Sequence, residues 1–311
     1  MEVATRQGAV TPAIRRAPFV YALIVADAAT VALFSIAVGG SFDWWLVALC
    51  LVAIAALLLP VPEWLSRWAP MVLIAVVFLA LGGLSQRQGV HASSTLLIGV
   101  DRAITGTVVP VWLQQHLPAL LGAPAGVLTA VYMAHYVAPL LTAWWLWRRH
   151  RAHFDGFVAT YMLAMVIGFA VYLTFPQSPP WYASQQGLLP PLHRSVIEVL
   201  QSLHVGSLYA GADPEPLGAM PSLHVTIPVL VAAAAIGVQR SRWRWLWLLY
   251  PVAVAFGVLL MAEHYLTDTL AGVAVALVAV ALVAALPSRL LSGSASGSVG
   301  AVRGQGEPEP A

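Results

Sequence analysis

Charge is what this chain has least of. Only 9% of its 311 residues are Asp, Glu, Lys or Arg, far below what the solvated surface of a soluble domain requires. The formal net charge of +2 is too small to suggest a nucleic-acid partner. Cysteine is almost missing. Cys50 stands alone in an apolar run, so no intrachain disulfide can form. No His-Glu-x-x-His run and no cysteine pair occurs, so the metal classes those patterns mark gain no support, and neither a metal nor a cofactor is expected. No internal repeat is evident. A signal peptide is not expected either, because the first apolar run is of spanning length and ends without a small-residue cleavage site.

What is present is hydrophobic. Apolar residues make up 60% of the chain and the mean hydropathy is +0.82, which predicts an all-α, polytopic transmembrane helix bundle. Apolar runs cover 19–38, 44–59, 71–84, about 122–147, 157–175, 221–238, 245–262 and 266–286. That makes about eight spans, several of them short enough to tilt. The division follows: a cytoplasmic tail 1–17, amino-terminal membrane helices 18–84, a membrane core 85–287, and a disordered cytoplasmic tail 288–311 rich in Gly, Ser, Ala and Pro.

Positive charge orients the spans. Arg148, Arg149 and Arg151 fall in one short connection, and Arg240, Arg242 and Arg244 in another. With these cytoplasmic, the connections 85–121 and 176–220 and the turn 263–268 lie on the outer side. Residues 109–121 are expected to form an interfacial helix with Trp112, Leu113, His116, Leu117, Leu120 and Leu121 on one face. The segment 191–205 is expected to form a helix with Val196, Val199, Leu200 and Leu203 on an apolar face. Its polar face carries Arg194, Glu198 and Gln201, and Gly206 stops it. The stretch 176–220 reads as a cover over a site.

Two polar stretches interrupt the apolar runs at helix ends: Gly218-Ala219-Met220-Pro221-Ser222-Leu223-His224 and Glu263-His264-Tyr265-Leu266-Thr267-Asp268. Pro221 suits the first position of a helix, which leaves the N–H groups of Ser222, Leu223 and His224 without intrahelical acceptors. With the positive end of the dipole behind them they form an anion cradle, to which the Ser222 hydroxyl adds a donor. His264 and Asp268 are four apart, so the carboxylate can orient the ring. Two histidines, a carboxylate and an anion cradle are the parts of phosphoryl transfer through a phosphohistidine. Competing readings exist for each part. An i, i+4 pair serves as a helix tie, and His224, His264 and Asp268 are zinc-ligand types, which would make a metal-dependent membrane hydrolase. A transporter would break its helices at the bilayer midplane instead. Asp27 in the first span reads equally as a hydrogen bond to a neighbouring helix or as a functional carboxylate. Arg87, Arg102 and Arg194 outside could meet a phosphate but read first as solvated or headgroup-facing, and His135 between Tyr132 and Tyr136 reads as packed in the bundle. Trp243, Trp245 and Trp247 read as an aromatic belt.

The motif Ala219-Met220-Pro221-Ser222-Leu223-His224, followed by His264-Tyr265-x-x-Asp268 and Gly272, resembles the type 2 phosphatidic acid phosphatase superfamily. With Pro176-Gln177-Ser178-Pro179-Pro180-Trp181, the likeness is to the branch of inositol phosphorylceramide synthases and their bacterial relatives. The resemblance implies a six-helix phosphatase-like core. In it His264 is the nucleophile, Asp268 its orienting carboxylate, and His224 the acid that protonates the leaving oxygen. Ser222 and Leu223 would bind the phosphoryl group. It also implies a metal-free membrane enzyme acting on a lipid phosphate at the outer face of the plasma membrane, with water or a polyol such as inositol as acceptor. A catalytically silent scaffold is the non-enzymatic alternative. Two departures stand out. The superfamily's lysine and Arg-Pro give way to Phe175-Pro176, and Gly257-Val258 stands where phosphatases have Ser-Arg. The cationic half of the phosphate site is therefore unassigned by motif.

Overall fold

The computed structural model describes residues 18–37, 62, 64–74, 92–206, 209 and 218–292. Residues 1–17, the expected span 44–59, most of 71–84, Arg87, the Asp27 side chain and the tail beyond 292 lie outside the described residues. In chain order the helices are α1 (Pro18–Ala37), α2 (Thr95–Thr105), α3 (Val109–His116), α4 (Pro124–Arg149), α5 (Arg151–Thr174), α6 (Pro180–Gln185), α7 (Ser195–Ser202), α8 (Leu223–Val238), α9 (Leu249–Leu260), α10 (Leu266–Ala284) and α11 (Ser288–Ser292). A further helix covers 64–74. Short 3₁₀ turns at Pro118–Leu121 and Arg242–Leu248 lead into α4 and α9.

The protein is an all-α membrane bundle, with fewer spans in view than the eight expected. Among the described residues, four helical stretches are long and apolar enough to cross: Pro124–Arg149, Arg151–Thr174, Arg242–Leu260 and Leu266–Ala284. α2 and α3 pass the same test only as a pair bent by 67°. α8 is apolar but has just 16 residues. The bend between α2 and α3 follows from Gly106, whose φ of 76° lets its N–H cap the Arg102 carbonyl. The expected helix over 109–121 breaks at Leu117. Leu113 turns inward, while Trp112 and His116 stack on each other outside. The helix expected over 191–205 is only Ser195–Ser202, and it does not end at Gly206. It ends in a Schellman turn with His204 at φ 60°, where Val205 N–H reaches Leu200 and His204 N–H reaches Gln201. The tail expected to be disordered from 288 begins with α11, whose Leu291 packs on the core.

Helix direction puts the arginine-rich connections 148–151 and 240–244 and the motifs at opposite ends. α4 carries Arg148 and Arg149 into its last turn, where the dipole favours cations. The chain reverses at His150 alone and enters α5. α5 is the central span. It buries Phe154, Met162, Met165 and Phe169, with α1, α4, α8 and α10 packed around it. On the arginine end, Arg67 pairs with Asp155 at 2.7 Å and Trp68 packs on Phe154, which docks the 64–74 helix. Exposed Val127, Leu141, Val252 and Leu277 make the bundle's outer surface apolar, as lipid requires.

At the other end, α8 and α10 approach until backbone meets backbone. A Cβ on Gly272 would lie 2.3 Å from the Ser222 carbonyl oxygen. The Ser222 N–H donates to the Asp268 carbonyl at 2.9 Å, and the Thr226 hydroxyl bridges the carbonyls of Ser222 and Gly272, each at 2.9 Å. Gly272→Ala should therefore destabilise the protein by about 3 kcal/mol, the upper range for overpacking. Gly237→Ala, with nothing within 4 Å, should be neutral or stabilising. Thermal unfolding in detergent compares the two, and equal melting temperatures would refute the close-approach account.

Candidate active site

The start of α8 is built by three neighbours. The Leu223 side chain fills the space that Gly168 of α5 leaves open, where a Cβ would sit 2.6 Å from Leu223 Cδ2. The Tyr172 hydroxyl donates to the Pro221 carbonyl at 2.9 Å. The proline-rich segment after α5 is stitched alongside: Ser93, Gln177 and Gly218 form successive parallel bridges, and the hydroxyls of Ser94 and Ser178 hydrogen-bond. Because α8 begins at Leu223, with Ser222 as its cap, the expected start at Pro221 is two residues early. The cradle also has two amides rather than three, since the Ser222 N–H is held by Asp268. The N–H groups of Leu223 and His224 have no acceptor among the described residues. The buried Ser222 hydroxyl has no partner there either.

The two motifs meet through their imidazoles. His264 Nδ1 lies 3.1 Å from Asp268 Oδ2, and His264 Nε2 lies 2.8 Å from His224 Nδ1. His224 Nε2 lies 2.8 Å from the Tyr132 hydroxyl, which is 2.5 Å from that of Tyr209. His264 and Asp268 are fully buried and His224 is 6% exposed. His135 Nδ1 donates to the Tyr132 carbonyl at 2.6 Å, and its ring meets that of His224 edge-on at 4.6 Å. His135 is thus packed in the bundle, as read, but against the site itself.

His264 is delivered by a sharp helix end. Glu263 and Ala262 N–H groups reach back to Val258 and Leu259 across an Ala262 at φ 60°. An alanine in the left-handed region carries roughly 1 kcal/mol of strain. Beyond that turn, Asp101 of α2 accepts from Leu266 N–H at 3.2 Å, Thr267 N–H at 2.9 Å and the Thr267 hydroxyl at 2.6 Å. The buried Asp101 carboxylate therefore occupies the positive end of α10, whereas the first amides of α8 have no acceptor among the described residues. Burial, then the nearby Asp268 and Asp101, hold the Tyr265 phenol well above its ordinary pKa, so it stays protonated.

Arg194, at the start of α7, forms a two-pronged ion pair with the fully buried Glu263: Nε to Oε1 at 2.8 Å and Nη2 to Oε2 at 2.9 Å. Its guanidinium lies 4.0 Å over the Trp181 ring and within Coulombic range of His224. Arg194 is therefore part of the site rather than a solvated residue. Gln201 and Glu198 are exposed instead, Glu198 facing His193 at 3.7 Å, so the expected polar face of 191–205 does not act as one surface. Arg102 is exposed on α2. Gln114 ties the cover down by donating to the carbonyls of His193 and Leu260, both at 2.8 Å.

No group of three or more His, Cys, Asp or Glu suited to a metal occurs among the described residues. Sequence reading missed Tyr132, Tyr209, Asp101 and the Glu263 pairing. The one signal for them was a polar residue in an apolar or cover segment.

Fold and site together define a helical membrane protein whose two motif histidines meet at the helix ends, beside amides that lack acceptors among the described residues. The model of the PAP2 superfamily matches residues 95–282, and the chain belongs to that superfamily. It is thus a membrane protein of the lipid phosphatase type. No curated protein and no solved structure matches it.

Removing one partner of a buried ion pair strands the other. Arg194→Ala should cost about 3–5 kcal/mol by leaving Glu263 uncompensated. Arg194→Lys should recover only part, lacking the fork, whereas the double change Arg194→Met with Glu263→Leu should restore most of it. Chemical denaturation in mild detergent measures all three. A double variant no more stable than Arg194→Ala would refute the pairing as the cause.

Proposed function

We propose that the protein cleaves a lipid phosphoester by passing the phosphoryl group through His264. The observation that carries this reading is the hydrogen-bonded run His224–His264–Asp268 beside two free amides and an unpartnered Ser222 hydroxyl. In this reading Asp268 holds the Nδ1 proton of His264 and leaves the Nε2 lone pair for attack on phosphorus. The Leu223 and His224 amides and the Ser222 hydroxyl hold the phosphoryl oxygens, where oriented donors favour developing charge. His224 gives its proton to the leaving oxygen as the P–O bond breaks. Water then completes a phosphatase cycle, or a polyol such as inositol a transferase cycle. The proline-rich segment beside the motif supports the inositol phosphorylceramide synthase-like branch.

The chemistry is tested with phosphatidate, phosphatidylinositol and an isoprenyl phosphate offered to purified protein with and without inositol. His264→Ala should abolish turnover and the acid-labile, base-stable phosphoenzyme. His224→Ala should slow phosphoenzyme formation by about a hundredfold or more. EDTA should leave turnover intact, and zinc-restored loss on chelation would move the protein to a metal-dependent class. Inositol should divert phosphoryl label from free phosphate into a phosphorylated product if transfer is the reaction. Full activity in His264→Ala sinks the mechanism.

The proposal also places the site on the outer face of the plasma membrane. Support comes from the arginine-rich connections, which sit at the bundle end opposite the histidines. In a Cys50→Ser background, a cysteine at Gly187 should react with an impermeant thiol reagent applied to intact cells, and one at Ser241 should not. The reverse pattern would put the site on the cytoplasmic side.

A further inference from the structure

Donor and acceptor counting along the buried chain leaves His224 one arrangement. With Asp268 as a carboxylate and His264 in the neutral form that attack on phosphorus requires, His264 Nδ1 carries the proton and its Nε2 is an acceptor. The proton in the 2.8 Å contact between the imidazoles therefore sits on His224 Nδ1. Neutral His224 has a bare Nε2, so the Tyr132 hydroxyl donates to it, and Tyr132 in turn accepts from Tyr209. Among the described residues a protonated His224 has no carboxylate left to balance it: Asp268 faces His264, and Glu263 is taken by Arg194.

That arrangement creates a chemical difficulty, and the neighbouring phenols resolve it. A neutral imidazole that gives up its N–H becomes an imidazolate, far too costly a product for a general acid. Were a proton to arrive at Nε2 as the Nδ1 proton leaves, His224 would stay neutral throughout. A phenol, with an ordinary pKa of about 10, can supply that proton far more readily than the imidazole can lose its own. Resting on the phosphohistidine reading above, the geometry points to Tyr132 as a positioning and proton-relay residue for His224, with Tyr209 as the outer end of the relay.

The steps balance. His264 Nε2 bonds to phosphorus, the P–O bond breaks, and the leaving oxygen takes the electron pair and the Nδ1 proton of His224. The Tyr132 proton moves to His224 Nε2 and the Tyr209 proton to Tyr132. The resulting Tyr209 phenolate faces the Arg194 guanidinium, which lies 6.0 Å from its ring centre. In the second half, the acceptor O–H proton goes to His224 Nδ1. The Nε2 proton returns to Tyr132 and the next to Tyr209, while the new O–P bond replaces P–N. The relay ends as it began. His135 steadies it by donating to the Tyr132 carbonyl.

The resting arrangement is read by ¹⁵N-histidine NMR of the protein in detergent micelles, with His224 assigned from the spectrum of His224→Gln. The expected result is a single tautomer protonated on Nδ1, retained in Tyr132→Phe but with the bare Nε2 resonance moved downfield by loss of its hydrogen-bond donor. An Nε2-protonated or doubly protonated His224 in the parent protein, or an Nε2 resonance unmoved in Tyr132→Phe, overturns the relay. Kinetics supply the second readout, through dioctanoyl phosphatidate and p-nitrophenyl phosphate, whose leaving groups differ in their need for a proton. Tyr132→Phe should lose at least about tenfold more rate on phosphatidate than on the aryl ester. Tyr209→Phe should shift the ratio the same way by less. Equal loss on both substrates means a merely structural tyrosine and overturns the proposal. Turnover surviving in His264→Ala would refute the phosphohistidine reading separately, since the tautomer measurement needs no substrate.

Discussion

The contact on which the rest of the site depends is between two backbones: the Ser222 carbonyl against the bare Cα of Gly272. Only a residue without a side chain lets α8 and α10 come so close. Once they do, the Ser222 N–H finds the Asp268 carbonyl and the Thr226 hydroxyl ties both helices. His224 is the second residue of α8 and His264 lies two residues before α10. The separation of their imidazoles is therefore set by main-chain packing. A hydrogen bond of 2.8 Å between rings from distant segments is the outcome.

Around that contact, each buried charge has its own counterpart. Asp101 sits on the amino end of α10, Glu263 takes Arg194, and Asp268 takes His264. In a region of low dielectric an unpaired carboxylate would be far more expensive than the pairs are favourable. This division leaves the first amides of α8 and the Ser222 hydroxyl without partners among the described residues. The chain contains no lysine, so in the proposed reading a phosphate at that end would meet amides, a hydroxyl and a guanidinium, and no ammonium side chain.

Much of the site was legible because its signal is local. Pro-Ser-x-His ahead of an apolar run, and His-x-x-x-Asp at helical spacing, specify their chemistry within a few residues. The charge pattern separated the two ends of the bundle independently. Tyr132 and Tyr209 are different. Each looks like an ordinary aromatic residue, and only tertiary packing brings their hydroxyls to His224. Asp101 was hidden for a similar reason, because it caps a helix that begins 165 residues later. The α7 boundary was misread because glycine is the usual left-handed residue after a helix, and here His204 adopts that conformation. Gln201 and Glu198 failed as a functional face because the helix is only eight residues long and turns Arg194 alone inward.

If the proposed reaction requires α7 to move and admit a ligand, the fork between Arg194 and Glu263 would set a threshold for entry. The imidazoles of His224 and His264 touch, so any phosphoryl group must first part them, and movement of α7 away from the bundle would strip Glu263 of its counterion. A penalty of about 3 kcal/mol for that exposure leaves fewer than about one molecule in a hundred open at rest. A ligand must meet that penalty from its own binding energy. An acyl or prenyl tail gains about 0.8 kcal/mol for each methylene it buries, so a long-chain phosphate clears the threshold with a handful of carbons. Inorganic phosphate and sugar phosphates have no such reserve. Chain length would then be filtered by the ion pair over the site, without any pocket shaped to measure it.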